Sequence, residues 1–479
     1  MIYQDLGRFS EALPLFEKGY RLFKEVLGEK HPYTLMSLNN LGLIYKDLGR
    51  LSEALPLLEK VYRLRKELLG EKHPDTITSL NNFALIYQDL GRFSEALPLF
   101  EKGYRLFKEL LGEKHPDTLK SLNNLALIYQ DLGRLSEALP LFEKGYRLFK
   151  EVLGEKHPYT LSSLNNLAML YRDLGRFSEA LPLLEKSYRL AQEVLGEQHP
   201  FTLLTLNSLA MIYQDLGRLS EALPLLEKGY RLYKEVLGEK HPNTLRSLNN
   251  LASIYQDLGR LSKALPLYEK AYRLSKEVLG EKQPFTLLTL NNLAMIYQDL
   301  GRLSEALPLL EKGYRLRKEL LGEKHPDTLM SLNNLGMIYK ELGRLSEALP
   351  LLEKGYRLSK EVLGEKHSDT LISLTNLAGI YKDLGSLSKA LPLLEKSYRL
   401  SKEMLGEKHS LTLTSLNNLA NLYQDLGSLS KALPLLEKSY RLSKEVLGEK
   451  HPFTLLTLNN LALIFQNLGR LLIGGLAFV

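Results

Sequence analysis

The sequence predicts an all-α protein built as an α-solenoid, and three observations carry that expectation. Gly7 recurs at every 42nd position as far as Gly469 without a slip. All 20 Pro and all 10 His sit at fixed places within that period. Between these markers the apolar residues fall at helical spacing, twice per period. A unit of this length is one supersecondary element, too small to bury its own apolar face, so neighbours must stack. The period also overrides the usual expectation that a chain of 479 residues divides into several globular domains.

One repeat, residues 73–112, justifies each element. Pro74 disfavours helix at His73 and so opens a new element. Thr76 recurs in every complete repeat while Asp75 varies, which makes Thr76 the expected N-cap. In the next copy Leu119, Leu122, Leu125, Ala126, Tyr129 and Leu132 follow helical spacing, and Gly91 supplies a left-handed stop for the equivalent helix. Ser94 is the expected cap of the second helix, with Pro98 at the edge of its first turn, where proline is tolerated. Ala96, Leu97, Phe100, Gly103, Tyr104, Leu106, Leu110 and Leu111 form its apolar stripe, and Gly112 ends it. Glu101 and Arg105 stand at i,i+4 and predict a solvated pair. Ala84, Ala96 and Gly103 predict close helix approach. The result is an αα-hairpin, repeated about eleven times.

The pattern of Leu80, Phe83, Ala84 and Tyr87, followed by Ala96, Phe100 and Gly103, resembles the tetratricopeptide repeat. The 42-residue length, the connector from Leu111 to Thr118 and the Asn-Asn-Leu-Ala run resemble the kinesin light chain subclass. The resemblance implies a right-handed superhelix whose first helices line a concave groove, and a groove that binds extended peptide segments of other proteins. It spans nearly the whole chain. The expected organisation is a partial helix over residues 1–6, a repeat array over 7–469 and a non-repeat apolar tail over 470–479.

Differences between copies point to candidate contacts. Positions 78, 81, 85 and 88 share one helix face, away from the packing stripe. The Thr78 row includes Lys120 and Arg246, and the Leu85 row includes Met169, Met211, Met295 and Met337. Varied chemistry on an invariant scaffold is what a binding solenoid needs, although drift at exposed positions would look the same. Position 81 is Asn39, Asn81, Asn123, Asn165, Asn207, Asn249, Asn291, Asn333, Asn417 and Asn459, with Thr375 the exception. A carboxamide both donates and accepts, so the row predicts contacts to a peptide backbone, although amides that cap or bridge neighbouring helices would look the same. The neighbouring Asn82 row reads as structural. Asp89 sits at a helix C-terminus, where an acid needs a cation, and Arg92 is the expected partner.

Other chemistry is not expected. There is no Cys, so there are no disulfides and no thiolate sites, which suits a reducing cytoplasm. One His per connector cannot converge on a metal when packed helices lie about 8–10 Å apart. Paired catalytic groups and a phosphate cradle are missing, so neither an enzyme nor a cofactor is expected. The net charge of +7 is spread thinly along the repeats and does not point to nucleic acid. The apolar stretch Leu471–Val479 falls short of the roughly 20 residues a spanning helix needs, so no membrane partner is expected. Protein or peptide ligands remain. The chain opens within a first helix and closes without a second one. That predicts frayed ends that self-associate, or a fragment of a longer protein. In the latter case the repeats would be the ligand-sensing arm of a multidomain signalling protein.

Overall fold

The computed structural model describes residues 9–476, with side chains described for residues 12–468. These residues form 22 α-helices in strict alternation. First helices span 16 residues, as in Pro74–Asp89. Second helices span 19, as in Phe93–Leu111. The fold is therefore the all-α solenoid of helical hairpins that the period predicts. The expected partial helix over residues 1–6 lies outside the described residues. At the other end, Pro452–Leu476 is one helix of 25 residues, running through Gly469 where the pattern predicts a stop. The sequence after Gly469 lacks the Ser-Glu-Ala start of a second helix, so nothing local turns the chain back.

Several local expectations are corrected. The first helix begins at Pro74 and is capped by His73, whose imidazole accepts from the Asp75 N–H. Proline at the first helical position removes a donor that would be unpaired there, and the ring nitrogen satisfies another. Thr76 is thus inside the helix. In some copies the equivalent hydroxyl ties the connector down instead: Thr118 Oγ1 donates to the Gly112 carbonyl at 2.8 Å, and Thr202 to the Gly196 carbonyl at 2.8 Å. The second helix begins at Phe93, after Arg92, with no side-chain cap. Ser94 donates to Glu95 rather than capping. Pro98 is therefore the sixth helical residue, about half a turn deeper than expected, and leaves the Ser94 carbonyl without its helical donor.

The glycine stops hold. Gly91 has φ 64°. Its N–H donates to the Gln88 carbonyl and that of Arg92 to the Tyr87 carbonyl. This is the double bond of a Schellman motif. Gly112, with φ 83°, closes the second helix.

The chain divides into two compact units, residues 1–170 with 182–209 and 223–328, and residues 171–181 with 210–222 and 329–479. Within each, helices adjacent in sequence pack together. In the first unit, Ala54 and Leu58 of one second helix pack on Phe83 and Ile86 of the next first helix. In the second unit, Ala390 and Leu394 meet Leu419 and Leu422 in the same way. Ala84, Ala96 and Phe100 are fully buried. Each such Phe or Leu contributes about 1.5–3 kcal/mol from burial.

Both units also contain contacts between residues 236 apart. In the first, the His325 Nε2 lies 3.0 Å from the Asp89 carbonyl. Gln283, which replaces His in one connector, donates from Nε2 to the Asp47 carbonyl at 2.9 Å. In the second, His409 Nε2 lies 3.0 Å from the Asp173 carbonyl.

Candidate functional site

The first helices present their variable face in graded burial. The Thr78 row is exposed, including Lys120 and Arg246, except for the half-buried Ser162. Met169, Met211, Met295 and Met337 of the Leu85 row are half-buried, and Met337 packs against the cluster around Ala348 and Leu352.

Most of the Asn81 row is turned inward. Asn39, Asn81, Asn165, Asn207, Asn249, Asn291, Asn333 and Asn417 are buried. Asn123 is half-buried and Asn459, in the last described helix, is exposed. Asn81 Nδ2 donates to Ser121 Oγ of the next repeat at 3.3 Å. Its oxygen fills the space that a Cβ at Gly103 would need. The small residue on the second helix thus makes room for the carboxamide, and Asn81 joins helices of successive repeats. The Asn82 row completes the bridge: Asn82 Nδ2 donates to Asn39 Oδ1 at 3.0 Å, and Asn292 to Asn249 likewise.

The acids at the helix ends find partners one repeat away, not three residues on. Asp89 pairs with Lys46 at 3.2 Å, and Asp131 accepts from Gln88 at 2.5 Å. In the second unit Arg172 pairs with Asp215. Burial raises the Asp89 pKa, with Lys46 pulling against it. Arg92 instead pairs with Glu95 at 2.6 Å and covers the Tyr87 ring at 4.5 Å. Where Ser386 and Ser428 replace that arginine, Lys389 and Lys431 cover Tyr381 and Tyr423 at 5.3 and 5.4 Å. The cation moves along the chain but stays on its ring. Glu101 accepts from Tyr129 of the next repeat at 3.0 Å, in place of the expected pair with Arg105. These cross-repeat partners lie 28 or 43 positions apart and leave no signal within one repeat.

Two recesses open on this face in the first unit. One, of about 290 Å³, lies beside Lys120, Asn123, Tyr159 and Ser162. Lys120 is 3.2 Å from Asp117 and 4.6 Å from the Tyr159 ring centre. Burial works against the ammonium, but Tyr159 and Asp117 outweigh it and hold its pKa above the ordinary lysine value. The other, of about 420 Å³, is lined by Phe201, Leu204, Asn207, Tyr233 and Arg246. Burial pushes the Tyr233 hydroxyl up to about 12, against the pull of Arg246. Each recess joins an aromatic wall to one cation. That suits a polypeptide side chain with apolar surface and an acceptor.

Among the described residues, no cluster of three or more His, Cys, Asp or Glu could hold a metal, and no helix is long and apolar enough to cross a membrane. The connector histidines cap helices.

Comparison with known proteins agrees with this architecture. The tetratricopeptide repeat model matches residues 1–67, 44–109, 75–151, 117–193, 159–235, 201–277, 285–361, 347–403 and 411–471. Among solved structures, the nearly identical TPR-like repeats of a kinesin light chain-type protein from Podosopora anserina are 32% identical, covering 43% of this chain and 97% of that one, with a TM-score of 0.37. A point variant of that protein gives 31% identity over the same shares, with a TM-score of 0.38. BtubC (BKLC) from P. vanneervenii is 21% identical over 49% of this chain and 92% of its own, with a TM-score of 0.39. No curated protein sequence matches. The repeat model covers nearly the whole chain, so the chain belongs to the tetratricopeptide repeat family.

Proposed function

We propose that this protein-interaction scaffold holds extended peptide segments of other proteins against the exposed face of its first helices, without catalysing a reaction, in the cytoplasm. One observation carries the reading. Apart from Ser162, the Thr78 row is exposed and changes chemistry from copy to copy, through Met36, Lys120, Leu204, Arg246 and Ile372, on a scaffold that hardly changes. The recesses beside Lys120 and Arg246 are the strongest anchors in the first unit, because each offers a charge-assisted donor at the edge of apolar surface. Peptide selectivity comes from this exposed row, and the inward Asn row keeps the repeats in register. Salt-bridged acids such as Asp117 moderate the cations, so a purely acidic ligand has no special advantage.

The test is a pull-down from source lysate read by mass spectrometry. The chain is compared with one carrying Lys120→Ala and Arg246→Ala, and with a control carrying Arg105→Ala on a second helix. Partners lost only from the first variant, with helicity unchanged, support the reading. An identical partner set for all three would sink it.

A further inference from the structure

We infer that the first helices Ser368–Asp383 and Ser410–Asp425 form a recess that takes a primary carboxamide, the side chain of Asn or Gln, from a bound peptide; this rests on the peptide-binding reading above. The site arises from three departures from the repeat in one place. Thr375 stands where the other repeats carry Asn, buried in most of them. Gly379 and Asn421 stand in successive copies of a row that is otherwise Leu or Met, with Ser253 the remaining exception. All three line a cavity of about 210 Å³, together with Asn418, Lys340 and Lys382.

The chemistry follows from what each polar group already does. Elsewhere in this unit the Asn82-type amide donates to the Asn of the preceding repeat, as Asn460 does to Asn417 at 3.2 Å. The residue facing Asn418 in that way is Thr375, which offers no carboxamide. Its hydroxyl already donates to the Leu371 carbonyl at 2.9 Å and lies 2.9 Å from Ser397 Oγ. The carboxamides of Asn418 and Asn421 are half-buried and make no hydrogen bond within the protein. Both cations at the rim are neutralised: Lys340 by Asp383 at 3.1 Å and Lys382 by Asp425 at 2.6 Å.

A charged ligand group would thus lose hydration without gaining a free countercharge. An apolar one would leave two carboxamides unsatisfied. A ligand carboxamide donates and accepts at once, and so matches both asparagines. Gly379 creates the room, since a side chain there would project toward the Lys340 ammonium.

The experiment pans a phage-displayed library of random dodecapeptides on the full chain and on a Gly379→Leu, Asn421→Leu variant. Both substitutions install the residue that Leu85 and Leu127 already place at the same repeat position, and circular dichroism checks that helicity is kept. The expected result is several-fold enrichment of Asn or Gln at one peptide position on the unaltered chain, absent on the variant. Peptides recovered without that enrichment, with a preference for charged residues instead, or with the enrichment intact on the variant would overturn the inference and leave the peptide-binding reading standing. If neither chain recovers peptides above bare support, the peptide-binding reading itself fails, and the inference with it.

Discussion

Replacing His409 by Gln should leave the repeat contacts intact, while replacing it by Ala should break them. The imidazole makes two bonds. Its Nδ1 accepts from the Leu411 N–H at 3.1 Å, and its Nε2 lies 3.0 Å from the Asp173 carbonyl. A carbonyl can only accept and an amide N–H can only donate, so the ring is the neutral tautomer with its proton on Nε2. Gln283 shows that a carboxamide reproduces the pattern: its Oε1 accepts from the Phe285 N–H at 3.3 Å and its Nε2 donates to the Asp47 carbonyl. Each bond contributes about 0.5–1.5 kcal/mol net, so His409→Ala should cost about 2 kcal/mol locally, and His409→Gln well under 1. Repeat arrays do not unfold in one step, so the measurement is hydrogen exchange rather than a melting curve. The amides of the first turn after residue 409 should lose about 30-fold of protection in the Ala variant.

Acid gives the second arm of this test. Burial lowers the His409 pKa, with the bond to the Asp173 carbonyl opposing it. A base whose folded pKa is depressed binds more protons when unfolded, so its stabilisation is present above the ordinary value of 6.5 and is lost as pH falls from there through the folded pKa. Protection factors in the unaltered chain should therefore drop between neutral and mildly acid pH and stay level in the Gln variant. Equal loss in Gln and Ala variants, or the same acid response with and without the histidine, would refute the two-bond account.

Other outcomes follow from the same geometry. Phe100→Ala, at a fully buried position, should cost about 3–5 kcal/mol and show as exchange confined to its own and adjoining repeats. Gly103→Leu should cost about 1–3 kcal/mol by overpacking against the Asn81 oxygen, while Gly103→Val should be milder, because Val61 already occupies the same repeat position. Glu71, held to a pKa of about 2 by Lys102 and Lys66, keeps its stabilisation above 4.5 and loses it as pH falls toward 2. The pair is exposed, so circular dichroism should show only a small change in thermal midpoint for Glu71→Gln and little response to high salt.

The fold was legible because one period fixes everything local. The glycine stops at Gly91 and Gly112, the helix alternation and the core at Ala84, Ala96 and Phe100 all follow from spacing within one repeat. The capping was misassigned because Thr76 and Ser94 are cap-type residues near helix starts, whereas an imidazole at His73 did the work through its ring nitrogen. The Asp89 partner was missed because a partner three residues away looks local, while Lys46 lies 43 positions back. The candidate face was legible as a set of positions, but its depth was not. Helical spacing places residues 78 and 81 on one side, and only packing against Gly103 shows that Asn81 is buried and Thr78 exposed. Sequence can also mark Gly379 and Asn421 as departures, but not that both open onto the same recess.

The central claim, that peptides bind along the exposed face of the first helices, is tested most directly by carbene footprinting of the full chain with and without a selected peptide. The expected result is reduced labelling at Lys120, Arg246, Ile372 and their equivalents, with unchanged labelling of exposed second-helix residues such as Arg105. Protection on the second helices with the first-helix face still fully labelled would contradict it.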